Sequence, residues 1–241
     1  MALRLPAEEA DYLDVDRLQS IPTKRFQDAD PFPWINPEGL MTDSGHRELI
    51  ADLPDPERFR SSFGKRRRHG QASHDRFVLN YNDKLDLPAS WRRFVAELNG
   101  SAYRRFLQRL LDIDSFDLTF HWHYTPTGCS LSAHCDAEWK LGSHIFYLNT
   151  AEDWDEAWGG QTLILDDGGE FSHRSAPEID DFRRVIRSTA LGNSSLLFKR
   201  TDRSWHGMRP LKQPEGVMRK VFIAEIRKID VVTRIRTFFH K

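Results

Sequence analysis

The sequence predicts a mainly β protein, a β-sandwich or β-barrel with supporting helices. Two amphipathic helical stretches lie between residues 87 and 114, and short alternating or apolar segments bounded by Gly, Pro, Asn and Asp follow them. Helices early in a chain and many short strands late indicate a sheet structure backed by helices. A chain of 241 residues fits one large domain, or one domain with an N-terminal extension.

The composition and charge narrow the class of protein. A formal net charge of -1 gives no reason to expect nucleic acid or an anionic membrane as a partner. No apolar run reaches the length of a membrane span, no signal-peptide pattern opens the sequence, and only Cys129 and Cys135 are present. We therefore expect a reduced, cytoplasmic setting without a nucleic-acid or membrane partner, and these features leave the oligomeric state open.

The two helical stretches are predicted from their apolar spacing. The first begins at Pro88, which suits a first helical position, and ends at Asn99-Gly100. Its stripe at i, i+3, i+4 and i+7 comprises Trp91, Phe94, Val95 and Leu98. Ser101 can cap the second, whose stripe comprises Tyr103, Phe106, Leu107, Leu110 and Leu111. Residues 1–116 are thus predicted to form an irregular N-terminal arm and helices that support a sheet of the same domain.

Residues 117–230 are predicted to form the β core, and residues 231–241 a C-terminal tail. In the segment DLTFHWHYT, Phe120, Trp122 and Tyr124 alternate with His121 and His123. Side chains on a strand alternate between its two faces, so the aromatic set and the histidine set face opposite sides. Further short strands are predicted in SHIFYLN, GGQTLIL, SSLLFK and RKVFIAEI.

One basic run, KRRRHG at residues 65–70, interrupts the N-terminal half. A solvated loop is the favoured interpretation of such a run, and an anion-binding element is the alternative.

A histidine and an aspartate two residues apart stand out in the β-like segment SLSAHCDAEWK. At that spacing on a strand, His134 and Asp136 point to the same side. His206 follows the strand-like segment SSLLF and can supply a second imidazole. Two histidines and one carboxylate form the facial set that holds Fe(II) and leaves other positions open. By spacing alone, a solvated polar patch is an equally good interpretation.

Beyond His206, an arginine begins a predicted strand. Arg219 lies in PEGVMRKVFIAEI, and its forked guanidinium suits a carboxylate. A cosubstrate carboxylate at the closed end of a barrel needs a fixed cation of this kind. A rim arginine on a strand is the alternative interpretation.

Five motifs occur in order in the second half of the chain: HYTPTGCSLSAHCD, HIFYLN, WGGQTLIL, SSLLFKRTDRSWHGMRPL and GVMRKVFIAEI. Together they resemble the Fe(II)/2-oxoglutarate-dependent dioxygenases of the prolyl-hydroxylase-like branch, over roughly residues 117–227. The resemblance implies a double-stranded β-helix (jelly-roll) catalytic core in residues 117–230. It also implies Fe(II), O2 and 2-oxoglutarate as metal, oxidant and cosubstrate, with ascorbate as a further candidate cofactor.

The resemblance assigns roles to individual positions. His134, Asp136 and His206 match the Fe(II) ligands. Arg219 matches the arginine that binds the distal carboxylate of 2-oxoglutarate. Because the interval after His206 is longer than in the shortest family members, Arg209 is a second, less favoured candidate for that cation.

Three further features match the family. Tyr147, in FYLN, matches a tyrosine that often shares the distal carboxylate. Tyr124 matches a tyrosine that borders the cosubstrate in some relatives. Gly159-Gly160 matches a turn between barrel strands, where the lack of a side chain permits a tight backbone path.

Two positions narrow the reaction that the resemblance implies. Asp136 stands where halogenating relatives have a small residue that leaves room for chloride, which favours hydroxylation or a related oxidation. Glu225 stands where the DNA-repair branch has a second arginine, so that branch is disfavoured.

Four residues are candidates for the substrate side. His121 and His123 either line the mouth of the barrel or are exposed, and Trp139 and Trp158 either border the entrance or serve as packing. We expect hydroxylation of an unactivated C–H bond of a small-molecule or amino-acid-like substrate, with release of succinate and CO2. The alternatives are a protein (prolyl-type) hydroxylase, a non-catalytic metal-binding β-barrel sensor, and a cupin-like metal isomerase.

Overall fold

The computed structural model describes residues 12–229. The predicted C-terminal tail, residues 231–241, and the start of the predicted N-terminal arm lie outside the described residues. The helices are α1 (Val15–Ser20), α2 (Thr23–Gln27), α3 (Asp43–Ala51), α4 (Ala89–Asn99) and α5 (Ser101–Leu111). The strands are β1 (Trp34–Ile35), β2 (Arg60–Ser62), β3 (Arg76–Asn80), β4 (Asp117–Thr125), β5 (Leu131–His134), β6 (Lys140–Tyr147), β7 (Leu163–Asp166), β8 (Arg184–Arg187), β9 (Ser195–Lys199), β10 (His206–Met208) and β11 (Arg219–Arg227). None of the described helices is long and apolar enough to cross a membrane.

These strands form two antiparallel sheets within residues 12–229. The larger sheet has the order β1-β9-β6-β11-β4-β3-β2, and the smaller sheet has the order β5-β10-β7-β8. From β4 onward the chain passes repeatedly from one sheet to the other, which is the connectivity of a jelly roll. The mainly β fold with supporting helices is thus confirmed.

Helices α4 and α5 cover the outer face of the larger sheet, and all residues of the two predicted apolar stripes are buried. Trp91 of α4 lies 5.0 Å from Trp122 of β4 and 5.1 Å from Phe222 of β11, measured between ring centroids. These contacts confirm that the stripes pack against a sheet. Pro88 is the residue before α4 rather than its first helical position.

The inner face of the larger sheet faces the smaller sheet. On β4, Trp122 and Tyr124 lie in the core on the helix side, whereas His121 and His123 line a cavity on the inner side. The strand spans Asp117–Thr125, and its alternation is the one that the sequence predicts. The metal-ligand candidates lie in the same cavity, so it is the part of the fold that matters for function.

The N-terminal half differs from the prediction in two respects. Part of the predicted irregular arm forms α1 and α2, and both helices contact α5. The side chain of Asp14 caps α1 by accepting a hydrogen bond from the backbone of Arg17 at 2.8 Å. In addition, β1, β2 and β3 join the larger sheet. Strands of two, three and five residues are too short to give a periodic signal.

Candidate active site

His134 and His206 lie directly opposite each other on neighbouring strands of the smaller sheet. His134 ends β5, His206 begins β10, and the two residues are partners in the antiparallel pair. Directly opposed residues project their side chains to the same face, and here the ring centroids are 4.2 Å apart. Strand β10, which places His206, is a strand that the sequence did not indicate.

Backbone carbonyl groups fix the orientation of both imidazoles. Nδ1 of His134 lies 2.8 Å from the carbonyl oxygen of Ser132, and Nδ1 of His206 lies 2.9 Å from that of Ser204. Because a carbonyl oxygen only accepts, each Nδ1 carries the proton and each Nε2 keeps a free lone pair. Burial lowers the pKa of both imidazoles, which favours the neutral form that binds metal ions.

The carboxylate of Asp136 completes the group. One ligand atom from each of His134, Asp136 and His206 lies within 4.8 Å of the other two. Asp136 accepts hydrogen bonds from Nζ of Lys140 at 3.0 Å and from Oγ of Ser143 at 2.9 Å. Burial raises the pKa of Asp136, but the attraction and the hydrogen bond of the Lys140 ammonium outweigh burial. The net pKa of Asp136 therefore lies below its usual value, and the carboxyl group is an anion.

Lys140 also contacts a second carboxylate. Its Nζ lies 2.7 Å from Oε1 of Glu225, and the three side chains of Asp136, Lys140 and Glu225 are mostly buried. One ammonium thus bridges two carboxylates behind the candidate metal ligands.

The donor set fits Fe(II). Two neutral imidazoles and one carboxylate without a thiolate are the ligands of non-haem iron oxygenases, whereas structural zinc sites usually use cysteine. Cys135, which lies between two of the donors in sequence, packs instead against the cluster around Trp205. Strand alternation predicts this direction for Cys135, and the packing confirms it.

Arg219 begins β11 and is buried at the same cavity. Its Nε donates a hydrogen bond to the carbonyl oxygen of Gly160 at 2.6 Å, and its Nη2 donates to Oγ1 of Thr162 at 3.3 Å. Burial lowers the pKa of the guanidinium. No carboxylate among residues 12–229 forms an ion pair with Arg219. A buried cation without an anionic partner is costly, so the position suits a bound carboxylate.

Tyr147 lies beside Arg219. The guanidinium carbon of Arg219 is 5.5 Å from the centroid of the Tyr147 ring. The hydroxyl of Tyr147 donates to Oγ1 of Thr162 at 2.9 Å and lies 2.9 Å from Oγ of Ser188. Arg219 and Tyr147 thus share Thr162 as a hydrogen-bond partner.

The turn at Gly159-Gly160 confirms the prediction of a tight backbone path. Both residues have positive φ angles, +91° and +93°. A Cβ atom on Gly160 would lie 3.3 Å from Cδ of Arg219 and 3.1 Å from the ring of Trp154, whereas one on Gly159 would meet nothing within 4 Å. The close approach of Arg219 and Trp154 leaves little room for a Cβ atom at position 160, and the positive φ angle also favours glycine there.

The metal-ligand candidates and Arg219 open into one cavity of about 640 Å³. This volume is in the range of small-molecule sites. His121 and His123 line the cavity from β4, and Trp139 lies at its mouth with 45 % of its surface exposed. Burial lowers the pKa of His121 to about 3 and that of His123 well below its usual value, so both rings are neutral.

Tyr124 lies on the other face of β4. Its hydroxyl donates to the carbonyl oxygen of Pro54 at 3.3 Å, and its ring stacks on Phe59 at 4.2 Å. The alternation that puts His123 in the cavity puts Tyr124 on the helix side. This placement corrects the expectation that Tyr124 borders the cosubstrate.

Trp158 and Arg209 also lie away from the cavity. Trp158 packs edge-on against Trp154, with ring centroids 5.6 Å apart, and lines a separate surface depression. The exposed guanidinium of Arg209 forms an ion pair with Asp180. The structure therefore corrects the placement of Trp158 at the substrate entrance, and it does not support Arg209 as the cosubstrate cation.

Among the cavity residues that the sequence does not identify are Arg67, His74 and Arg76. Nε2 of His74 lies 3.0 Å from Oγ of Ser132, and its ring meets the ring of His134 edge-on at 4.5 Å. The basic run at residues 65–70 is the sequence signal nearest to them, and a solvated loop is its favoured interpretation. That interpretation holds for the exposed neighbours of Arg67 but not for Arg67 itself.

Comparison with known proteins gives a family match over the cavity-forming strands. Residues 120–225 match the model of the 2OG-Fe(II) oxygenase superfamily. No curated protein sequence matches the chain. The fold is similar to that of a Pseudomonas putida prolyl-4-hydroxylase, with 15% identity, a TM-score of 0.62, and coverage of 86% of this chain and 99% of that chain.

Two further solved structures are similar in fold. A prolyl hydroxylase from Trichoplax adhaerens, in complex with a hypoxia inducible factor peptide fragment, has 14% identity and a TM-score of 0.59 over 88% of this chain and 90% of that chain. HygX from Streptomyces hygroscopicus, with nickel and 2-oxoglutarate bound, has 12% identity and a TM-score of 0.56 over 86% of this chain and 87% of that chain. The region from residue 120 to residue 225, which matches the 2OG-Fe(II) oxygenase superfamily, carries the metal-ligand candidates and Arg219.

Proposed function

We propose that this oxygenase hydroxylates an unactivated C–H bond of a small-molecule or amino-acid-like substrate and converts 2-oxoglutarate to succinate and CO2. One observation carries the proposal: a group of two histidines and one aspartate shares a single cavity with a buried arginine that has no anionic partner within residues 12–229. The first feature suits Fe(II), and the second suits the far carboxylate of 2-oxoglutarate.

His134, Asp136 and His206 are the proposed Fe(II) ligands. When bound, Fe(II) supplies the activation of O2 that couples breakdown of the cosubstrate to oxidation of a C–H bond. The chain's own part is to present both Nε2 atoms and the carboxylate without rearrangement. The carbonyl groups of Ser132 and Ser204 hold the two rings, and Lys140 holds Asp136.

Arg219 is the proposed anchor of the cosubstrate, and Tyr147 assists it. A guanidinium that is already fixed by Gly160 and Thr162 loses little conformational freedom when a carboxylate binds. Burial also strengthens the charge-assisted hydrogen bonds that it forms.

A small-molecule substrate is favoured by the walls of the cavity. His121 and His123 line one side, Trp139 lies at the mouth, and residues from the loop before β3 line the other side. A volume of about 640 Å³ leaves room for a compact substrate beside 2-oxoglutarate. A protein (prolyl-type) substrate is the competing proposal, since two of the similar folds are prolyl hydroxylases and one of them is in complex with a peptide.

The experiment is an assay of succinate formation from 2-oxoglutarate with Fe(II), with and without ascorbate, followed by a mass-spectrometric screen of metabolite and peptide pools for oxidised products. His134→Ala, Asp136→Ala and His206→Ala should each abolish Fe(II) binding and succinate formation while the fold persists. If succinate forms and a peptide gains 16 Da while no metabolite does, the protein hydroxylase is favoured. A wild-type protein that binds Fe(II) but forms no succinate with any pool would favour a non-catalytic sensor.

A further inference from the structure

Besides Arg227, whose guanidinium carbon lies 4.4 Å from the centroid of the Trp139 ring, two arginines that the proposed chemistry does not use line the cavity. Arg67 lies in the loop between β2 and β3, and Arg76 begins β3. Both are partly buried, unlike the exposed Arg66 and Arg68 on either side of Arg67. Burial of a guanidinium requires a compensating interaction, so the partners of these two side chains are informative.

The partners of both arginines are neutral. Nε of Arg76 donates to Nε2 of His123 at 3.3 Å, and Nη1 donates to the carbonyl oxygen of His74 at 2.6 Å. Arg67 makes only long contacts, with Nε and Nη2 each 3.4 Å from Oε1 of Gln71. Burial and the charge of Arg67 lower the pKa of Arg76, which indicates that the two cations are near each other. No carboxylate within residues 12–229 forms an ion pair with either arginine.

The acidic residues that line the cavity already have a cationic partner. Asp136 and Glu225 both contact Lys140, and Asp136 is in addition a proposed metal ligand. Asp75, which is adjacent to Arg76 in sequence, raises the pKa of Arg76 by its charge, but it lies outside the cavity lining, forms no ion pair with Arg76 and accepts a hydrogen bond from the backbone of Gly64. Arg219 would be neutralised by 2-oxoglutarate. Arg67 and Arg76 are therefore cations that would still face the cavity, with no ion-pair partner among residues 12–229, after metal and cosubstrate have bound.

The histidines around the two arginines do not change the net charge of this part of the cavity. Burial, together with the charges of Arg67 and Arg76, lowers the pKa of His74 to about 2. His123 accepts a hydrogen bond from Arg76, as only a neutral ring can. Neutral imidazoles supply neither a negative charge for the arginines nor a competing positive charge.

We propose that the primary substrate is a small molecule with a carboxylate or phosphate group, and that Arg67 and Arg76 bind this oxyanion while its oxidised carbon faces the metal ligands. Paired guanidinium forks suit carboxylate and phosphate geometry. This inference rests on the proposed function, because it assumes that Arg219 is occupied by 2-oxoglutarate.

The test uses the whole protein with Fe(II) and saturating 2-oxoglutarate under nitrogen, so that binding occurs without turnover. The probes are inorganic phosphate and two pairs that differ in charge, phenyl phosphate with phenol and phenylacetate with phenylacetamide. Calorimetric titration measures each affinity. We expect phosphate and the anionic member of each pair to bind, and the neutral member to bind at least about tenfold more weakly, which corresponds to one charge-assisted contact.

Variants locate the anion. Arg67→Gln and Arg76→Gln should each weaken binding of phenyl phosphate about tenfold or more, and Arg76→Lys should fall between Arg76→Gln and the wild type. Arg66→Gln is the matched control, because this neighbouring arginine is exposed and lies outside the cavity. Arg67→Gln is the cleaner variant, since Arg67 makes only long contacts with Gln71 and its loss should not affect folding.

A parallel titration of 2-oxoglutarate separates the two proposals. In Arg67→Gln, the fold-loss of affinity for phenyl phosphate should be at least five times the fold-loss of affinity for 2-oxoglutarate. If the wild type binds 2-oxoglutarate but no anionic probe, or binds the anionic and neutral members equally, the inference is overturned and the proposed function stands. Equal effects of Arg66→Gln and Arg67→Gln also overturn it. A wild type that does not bind 2-oxoglutarate contradicts the proposed function itself.

Discussion

Nζ of Lys140 lies 3.0 Å from Oδ1 of Asp136 and 2.7 Å from Oε1 of Glu225. The ammonium therefore compensates two buried carboxylates, one of which is a proposed metal ligand. Lys140→Met should destabilise the metal-free protein by up to about 3–5 kcal/mol, because it leaves two buried carboxylates without a countercharge. Urea denaturation measures this loss in the free energy of unfolding.

Fe(II) should recover part of that loss, since the metal then neutralises Asp136. The double variant Lys140→Met/Glu225→Gln is the control: it removes one of the two charges and should be more stable than Lys140→Met alone. Equal destabilisation with and without Fe(II) would show that Asp136 does not meet the metal.

Gly160→Ala should weaken 2-oxoglutarate binding. The new Cβ atom would lie 3.3 Å from Cδ of Arg219 and displace the guanidinium. We expect about a tenfold loss of affinity, equal to about 1.4 kcal/mol. Gly159→Ala is the matched control, because it has a similar positive φ and meets nothing within 4 Å. Both variants should lose about 1–3 kcal/mol of stability from backbone strain, and similar 2-oxoglutarate affinities in the two would refute the steric argument.

We expect the free energy of unfolding to depend on pH because His144 is buried. Its Nδ1 lies 2.7 Å from the hydroxyl of Tyr103, and burial lowers its pKa from 6.5 to about 3. At pH values between about 3 and 6.5, the unfolded chain binds a proton at His144 and the folded chain does not. Stability is therefore fully present above pH 6.5 and falls as the pH falls, by at most about 1.4 kcal/mol per pH unit for this residue.

The double variant His144→Leu/Tyr103→Phe removes both members of the pair, so that neither polar group is left without a partner. Between pH 7 and pH 5 it should lose about 2 kcal/mol less unfolding free energy than the wild type. Urea denaturation at the two pH values makes the comparison. Parallel losses in the two proteins would mean that His144 is protonated in the folded state.

The sequence predicted the elements that have a long periodic pattern. The apolar stripes of α4 and α5 and the alternation of β4 each repeat often enough to be recognised, and the structure has them where expected. Strands β1, β2 and β10 contain two or three residues each, and tertiary pairing rather than local pattern forms them.

The sequence predicts those residues of the candidate site that lie in recognisable motifs. The metal-ligand candidates and Arg219 were named from ordered motifs, and the fold brings them to one cavity. Tyr124 was named from the resemblance, although the alternation of β4 already separated it from His121 and His123. Arg67, His74 and Arg76 could not be named, because an aperiodic segment carries them and only the three-dimensional fold brings them to the cavity.

Arg219 is the proposed binding partner of a 2-oxoglutarate carboxylate beside the metal ligands. Arg219→Ala removes the guanidinium fork and leaves the bound carboxylate without its countercharge, which costs about 2–5 kcal/mol in comparable buried pairs. This corresponds to at least about a thirtyfold weaker affinity for 2-oxoglutarate. Fe(II) binding should change little, because Arg219 is not a ligand, and Arg219→Lys should recover part of the loss because it keeps the charge.

The most direct measurement is the titration of 2-oxoglutarate into Arg219→Ala, with Arg209→Ala as the exposed control. We expect a loss of at least about thirtyfold for Arg219→Ala and a wild-type affinity for Arg209→Ala. A wild-type affinity for 2-oxoglutarate in Arg219→Ala would show that Arg219 does not bind the cosubstrate.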